Sequence, residues 1–303
     1  MPLELWVCGV LDAVYNRLAV RWPFQPQPPA CHVDVESKFL MNQEPQTEQI
    51  KQAEIDFFTD VAAKGVYEVF QERAYQRILR EFESQLGDLL QGPKGTAAAE
   101  GIGEGQEKKI LDMGCGSGAF TSRMARWKAQ FHGIDICEKL IEHACRSYPG
   151  IEFSVGDITA TEFDDESFDV ITLCGALHHF PDMCQVLGEC HRVLKPGGRL
   201  LAVDPHRGNP IMWAYRCKRS PFYSSVGVTA NEEPISKRAV GGALQASGFT
   251  QYKSYAISGV TYKHIDSKHA AKILPVYNLI ERILDVPPLR QWIGSFLITS
   301  VRK

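Results

Sequence analysis

The stretch "KKILDMGCGSGAF", Lys108 to Phe120, sets three glycines within five residues directly after a run that reads as a β-strand. A strand-to-helix turn needs one or two of them. Three so close together ask for a ligand lying against the main chain, since each glycine at a helix start costs of order 0.5–1 kcal/mol. Gly114, Cys115, Gly116, Ser117, Gly118 and Ala119 fit G-x-G-x-x-G/A, the dinucleotide fingerprint, in which glycine permits a tight turn and close approach of a ligand.

Downstream of the loop, short apolar runs alternate with amphipathic segments: "SRMARW", "QFHGIDI", "EKLIEHACRSY", "IEFSVGD", "FDVITLCG", "MCQVLGECHRVL" and "RLLAVDP". This alternation predicts an α/β fold, Rossmann-like, with a mostly parallel sheet covered by helices on both faces. "LKPGGRLL" reads as a helix stop, a tight turn and the next strand. A later helix is expected between Pro234 and Gly248, final strands in "TQYKSYAISGVTY" and "FLITSVRK", and an amphipathic lid or covering helix in "HAAKILPVYNLIERIL". Ligands of such sheets lie outside the carboxyl ends of the strands, so the residues that end each strand carry the interest.

Three strands end in acids. Asp112 precedes the glycines, where a pyrophosphate would be repelled and a cationic or zwitterionic ligand tolerated. S-adenosylmethionine has an ammonium and a sulfonium and no phosphate. Asp135 in "HGIDI" can accept both ribose hydroxyls, which also satisfies the nicotinamide fingerprint. Asp157 in "SVGDI" is not required by that fingerprint and suits an adenine amine, with Ile136 and Ile158 available to sandwich the ring.

These pieces resemble the class I S-adenosylmethionine-dependent methyltransferases, in particular the small-molecule branch that contains ubiquinone and menaquinone biosynthetic enzymes. The resemblance rests on "ILDMGCGSGAF", "GIDI", "VGDI", "FDVITLCGALHHFPD" and "VLKPGGRLLAVDP", and covers about Lys108 to Pro205. It implies a seven-stranded sheet, S-adenosylmethionine as the methyl donor, and a small-molecule acceptor. By resemblance, Gly114, Cys115, Gly116 and Gly118 approach the methionine and ribose, Asp135 holds the ribose hydroxyls, and Asp157 with Ile158 contacts the adenine. Cys174 and Gly175 line the methionine end. The sequence lacks the Asn/Asp-Pro-Pro-Tyr/Phe signature that the family links to methylation of nucleic-acid bases and protein glutamine.

Methyl transfer from a sulfonium is an in-line displacement with an activated leaving group, so the protein mainly aligns donor and acceptor and excludes water. Oxygen and carbon acceptors generally need a base. His178 and His179, beyond the fourth strand, are candidates for it, with a structural or cofactor-shelf role as the alternative; His206, after "VDP", is a third. The segment of about 206–233 reads as an irregular acceptor-site insertion, with Trp213, Tyr215, Phe222 and Tyr223 as an aromatic lining. The expected activity is methylation of an apolar or aromatic-containing metabolite at oxygen or carbon. A nicotinamide-dependent oxidoreductase and a catalytically idle, cofactor-binding subunit are the alternatives.

The rest of the chain sets bounds. Over 303 residues the net charge of −3 gives no general attraction to nucleic acid, and no Lys/Arg-rich extension or metal-ligand spacing accompanies the motifs. Nine scattered cysteines without a CxxC pair fit reduced thiols in a cytoplasmic protein. No apolar run reaches the roughly 20 residues that cross a bilayer. Residues 1–91 read as an N-terminal helical extension: a helix carrying Leu3, Val7, Val10, Val14 and Leu18, irregular chain to about Gln52, then two helices broken near Gly65. Phe57, Phe58, Tyr67 and Phe70 on these helices read as packing, with a share in the pocket or a homodimer contact as alternatives, and a peripheral membrane contact through the terminal helix stays open. Residues 92–107 have the composition of a flexible linker, and 108–303 form the ligand-binding domain.

Overall fold

Each apolar run after Lys108 becomes a strand of one sheet in the computed structural model, which describes residues 44–87, 89, 107–263, 268–283, 285–286 and 289–303. The terminal helix expected at Leu3 to Leu18 and all of the 92–107 linker except Glu107 lie outside the described residues. The strands are β1 (Lys108–Met113), β2 (Ala129–Asp135), β3 (Glu152–Val155), β4 (Phe168–Cys174), β5 (Leu194–Pro205), β6 (Gln251–Ile257) and β7 (Phe296–Arg302). Their order across the sheet is β3-β2-β1-β4-β5-β7-β6. The pairs among β1 to β5 are parallel, whereas β7 runs antiparallel to both β5 and β6. The chain moves outward from β1 through β2 to β3, then returns to the other side of β1 as β4. That reversal opens a crevice at the carboxyl ends of β1 and β4.

Strand periodicity divides the core between the two faces. Leu111, Met113, Ile171, Leu173, Leu200 and Ala202 face one way, against Val186, Leu187 and Cys190 of the helix Met183–Val193 and Val240 and Leu244 of the helix Lys237–Ala246. Ile110, Val170, Leu201 and Val203 face the other, against Ile78, Leu79 and Phe82 of a helix near the N-terminus and Phe120 and Met124 of the helix after the glycine loop. Runs such as "ILDM" and "FDVITLC" are buried almost throughout because both faces are covered.

The near-terminal helices are α1 (Glu44–Ala63) and α2 (Glu72–Leu86). The break near Gly65 is as the sequence suggests, with that glycine at φ +70°. Two details differ. α1 starts at Glu44, well inside the stretch expected to be irregular. α2 buries Ala74, Tyr75, Ile78, Leu79, Phe82 and Leu86 in the core it shares with the sheet, so it belongs to the sheet's own body. The further helices, in chain order, are α3 (Ala119–Met124), α4 (Glu138–Ser147), α5 (Met183–Val193), α6 (Pro210–Arg216), α7 (Lys237–Ala246), α8 (Lys268–Ile283) and α9 (Leu289–Ile293). "LKPGG" is a bulged start of β5, with a register shift opposite Phe168 and Val170, where a separate turn was expected. Among the described residues no helix is long and apolar enough to cross a membrane. Cys115, Cys137, Cys145, Cys174, Cys190 and Cys217 are free thiols.

Candidate functional site

A cavity of about 400 Å³ opens at the crevice between β1 and β4. One end is walled by Gly114, Cys115 and Gly116, by Asp135 and Ile136 after β2, and by Asp157 and Ile158 after β3. Gly114 and Gly116 have φ of +72° and +53°, the left-handed region that glycine enters without strain. A Cβ on Gly114 would also meet Ala176 at 3.0 Å. Gly118 plays a different part from the ligand contact expected of it. It does not line the cavity; a Cβ there would come within 2.8 Å of the Phe153 ring, so its bareness serves the packing of α3 on β3.

Asp112 is also corrected. Its carboxylate is fully buried behind the loop, with Thr121 donating to Oδ2 at 2.6 Å and Thr172 to Oδ1 at 2.7 Å. It ties α3 and β4 to β1 and does not wall the cavity. Burial raises its pKa to about 6, against the pull of the two hydroxyls. Thr172→Val should therefore lower stability by about 1–2 kcal/mol, because a buried carboxylate loses a donor; chemical denaturation checks this, and an unchanged midpoint would remove the clasp.

Asp135 lies at the cavity wall and organises the loop as well. Its Oδ2 accepts from the Gly116 N–H at 2.8 Å and its Oδ1 from the Cys137 N–H at 2.9 Å. Burial lifts its carboxyl above the usual range, with those N–H groups opposing. Asp157 is held by Thr159, whose N–H and hydroxyl donate to Oδ1 at 2.8 and 2.7 Å, and by Lys51 of α1, whose Nζ is 2.6 Å from Oδ2. Burial works to raise the Asp157 pKa, but Lys51 and Thr159 outweigh it and hold the group below the ordinary carboxylate range.

The middle of the cavity is formed by Cys174 and Gly175 after β4 and by His178 and His179 on the short 3-10 turn Leu177–His179. Burial pushes the Cys174 thiol well up, so it stays protonated. His178 Nδ1 lies 2.9 Å from Oδ1 of Asp204, on the neighbouring strand β5, and the His178 N–H donates to the same oxygen at 3.1 Å. Glu233 N–H donates to the His178 carbonyl at 3.1 Å, which brings Glu232 alongside, its Oε1 3.7 Å from His178 Nε2. Burial alone would lower the His178 pKa, but Asp204 and Glu232 together raise it to about 9. The two carboxylates thus favour the protonated form of the His178 ring. Burial works to raise the Glu232 pKa, and the facing His178 reverses this and brings it down to about 2. His179 Nδ1 lies 3.1 Å from Oε2 of Glu54 on α1.

His206 is displaced from the site. It is buried with Nδ1 on the Gly294 carbonyl at 3.0 Å, does not wall the cavity, and has its pKa lowered by burial. The expected acceptor lining is corrected likewise: Trp213, Tyr215, Phe222 and Tyr223 do not wall the cavity, and Phe222 is 74% exposed. The insertion is partly helical. Asn209 caps α6 by accepting from the N–H groups of Ile211 and Met212, with Pro210 in the first turn, and this turns Met212 and Arg216 inward. The far end of the cavity is aromatic all the same. Phe70, Tyr75, Tyr262 and Phe296 cluster there, whereas Phe58 and Tyr67 line the cavity beside Cys137 and Leu140, at the glycine-loop end.

The sequence reading missed Lys51, Glu54, Glu232 and Tyr262. A signal existed for the first two: Ile50, Lys51, Glu54, Phe57, Phe58 and Val61 fall at helical spacing and all reach the cavity, so one face of α1 forms its roof. No local pattern marks Glu232 or Tyr262.

Residues 111–202 match the family described as "Methyltransferase domain". The chain is 38% identical over 101 residues to the demethylmenaquinone methyltransferase of Chlorobaculum tepidum, covering 33% of this chain and 42% of that protein. It is 38% identical over 115 residues to the ubiquinone biosynthesis O-methyltransferase of Pseudomonas aeruginosa, covering 36% and 48%. The chain spans less than half the length of these two curated relatives. Among solved structures, the phosphoethanolamine N-methyltransferase 2 of Haemonchus contortus, in complex with S-adenosyl-L-methionine, superposes with a TM-score of 0.51 at 16% identity, covering 78% of this chain and 53% of that one. That likeness concerns the fold alone. The glycine loop, the strand-end acids and the "LHH" turn all lie within residues 111–202, the segment that matches a methyltransferase domain.

Proposed function

We propose that the protein transfers a methyl group from S-adenosylmethionine to a small apolar or aromatic-containing acceptor, at oxygen or carbon. One observation carries the reading: a single cavity joins the glycine loop and its acids at one end to an aromatic chamber at the other, with Cys174, Gly175 and the two histidines between them. Asp135 would take the ribose hydroxyls and Asp157 the adenine amine, with Ile136 and Ile158 on the ring. The sulfonium methyl would then point past Gly175 toward the aromatic end, where a desolvated acceptor can be aligned. Aromatic faces also suit a sulfonium cation. The named relatives that act on quinone precursors agree with an aromatic acceptor. Mass spectrometry of extracts incubated with the protein and labelled methyl donor tests this: a labelled small molecule is expected, and donor binding without any labelled product would favour an idle subunit.

α1 would act as a roof over both ligands, since it carries Lys51 to Asp157 and Glu54 to His179. The adenine amine must share Asp157 with Lys51. That ion pair is partly exposed and contributes about 0–1 kcal/mol. Lys51→Ala should accordingly tighten donor binding up to about fivefold by calorimetry; weaker binding would mean that Lys51 itself supports the donor. Cytoplasmic location, a homodimer through the N-terminal helices and a peripheral membrane contact remain parts of the same proposal.

A further inference from the structure

We propose that His178, His179 and Glu232 form a binding site for one divalent transition-metal cation, of which Zn²⁺ is the representative, with Glu54 holding the His179 ring. One ring nitrogen of each histidine and one carboxylate oxygen of Glu232 lie within 4.8 Å of one another. Zinc bonds to nitrogen and oxygen are ~2.0–2.2 Å, which sets tetrahedral ligand atoms roughly 3.3–3.6 Å apart. The 3.7 Å between His178 Nε2 and Glu232 Oε1 is close to that separation and long for a hydrogen bond.

Three further observations point to a cation. Glu54 is nine-tenths buried, and its Oε1 finds no hydrogen-bond partner while Oε2 faces His179, so a buried carboxylate oxygen at the cavity is left without a donor. A metal-bound histidine usually gives its second ring N–H to a carboxylate, and Asp204 is placed to receive it from His178 Nδ1. The charges also balance. Asp204, Glu54 and Glu232 bring three negative charges beside one guanidinium, Arg216, at the same cavity wall. A divalent ion would bring the cluster to neutrality. Two imidazoles with a carboxylate suit zinc and its first-row neighbours over magnesium or calcium, which prefer all-oxygen sites.

The ion would stand at the acceptor end of the cavity, beside Gly175. There it would hold an acceptor oxygen and lower its pKa. That consequence rests on the methyl-transfer reading; the binding of the ion does not.

The test uses the full chain, stripped with a chelator and without methyl donor. Zn²⁺ titrated calorimetrically should bind once per chain. Co²⁺ should give visible bands of nitrogen and oxygen ligation without thiolate charge transfer. Glu232→Gln and His179→Gln, on separate segments and checked for folding by circular dichroism, should each weaken binding at least about tenfold. No bound ion, a thiolate spectrum, or binding indifferent to both substitutions would overturn the site. Should neither variant fold, the Co²⁺ spectrum of the unaltered chain decides alone. Donor binding is measured separately, so loss of one reading leaves the other standing.

Discussion

Replacing Asp204 by alanine in chelator-treated protein is expected to lower the unfolding free energy by about 3–5 kcal/mol, the usual result of stripping one partner from a buried ion pair. Asp204 is 1% exposed and accepts both the ring and the backbone N–H of His178. Without it the imidazolium stays buried with Glu232 alone, at 3.7 Å. The same substitution should move the His178 titration, followed by NMR, down from about 9. In the unaltered protein the pairing gives a pH signature. His178 has a raised pKa, so its contribution is complete below the ordinary 6.5 and is lost as pH rises through about 9. Glu232 has a depressed pKa, so its contribution is complete above the ordinary 4.5 and is lost as pH falls through about 2. Stability from the pair should therefore peak between about pH 4.5 and 6.5. An Asp204→Ala variant with wild-type stability and an unmoved His178 titration would show that the pair carries little.

Asp135→Ala should weaken S-adenosylmethionine binding by about 1.5–3 kcal/mol, roughly ten- to a hundredfold. Two effects add. The ribose hydroxyls lose a charged acceptor, and Gly116 and Cys137 lose the carboxylate that orders their N–H groups, so the loop that receives the ligand is no longer held in shape. Asp135→Asn separates them, because an amide oxygen can still accept one of those N–H groups while the charge is gone; it should fall between the two. Calorimetry reads both variants, and unchanged affinity in Asp135→Ala would remove this residue from the site.

The fold was readable because its signals are periodic. "ILDM", "FDVITLC" and "RLLAVDP" could only be strands covered on both faces, and the glycines after Met113 marked where the crevice opens. Strand ends were read well and directions poorly. Asp112 is the penultimate residue of β1 and His206 directly follows β5, yet one turns back onto Thr121 and Thr172 and the other onto the Gly294 carbonyl, because neighbouring elements supply partners that no local pattern announces. Gly118 has the left-handed φ that the fingerprint demands and spends it on Phe153. The aromatic chamber was assigned to the wrong segment for a related reason. The Asn209 cap and Pro210 make a helix of what looked irregular, leaving Phe222 outside, while Phe70, α2 and Tyr262 close the chamber from far away in sequence. Glu232 reaches His178 only through the backbone bond between Glu233 and His178, a contact between remote parts of the chain.

Isothermal titration calorimetry of the full chain with S-adenosylmethionine and, separately, with a nicotinamide dinucleotide tests the central claim most directly. The geometry of the glycine loop with Asp135 and Asp157 predicts one S-adenosylmethionine bound per chain and no measurable heat from the dinucleotide. Binding of the dinucleotide without binding of S-adenosylmethionine would contradict it.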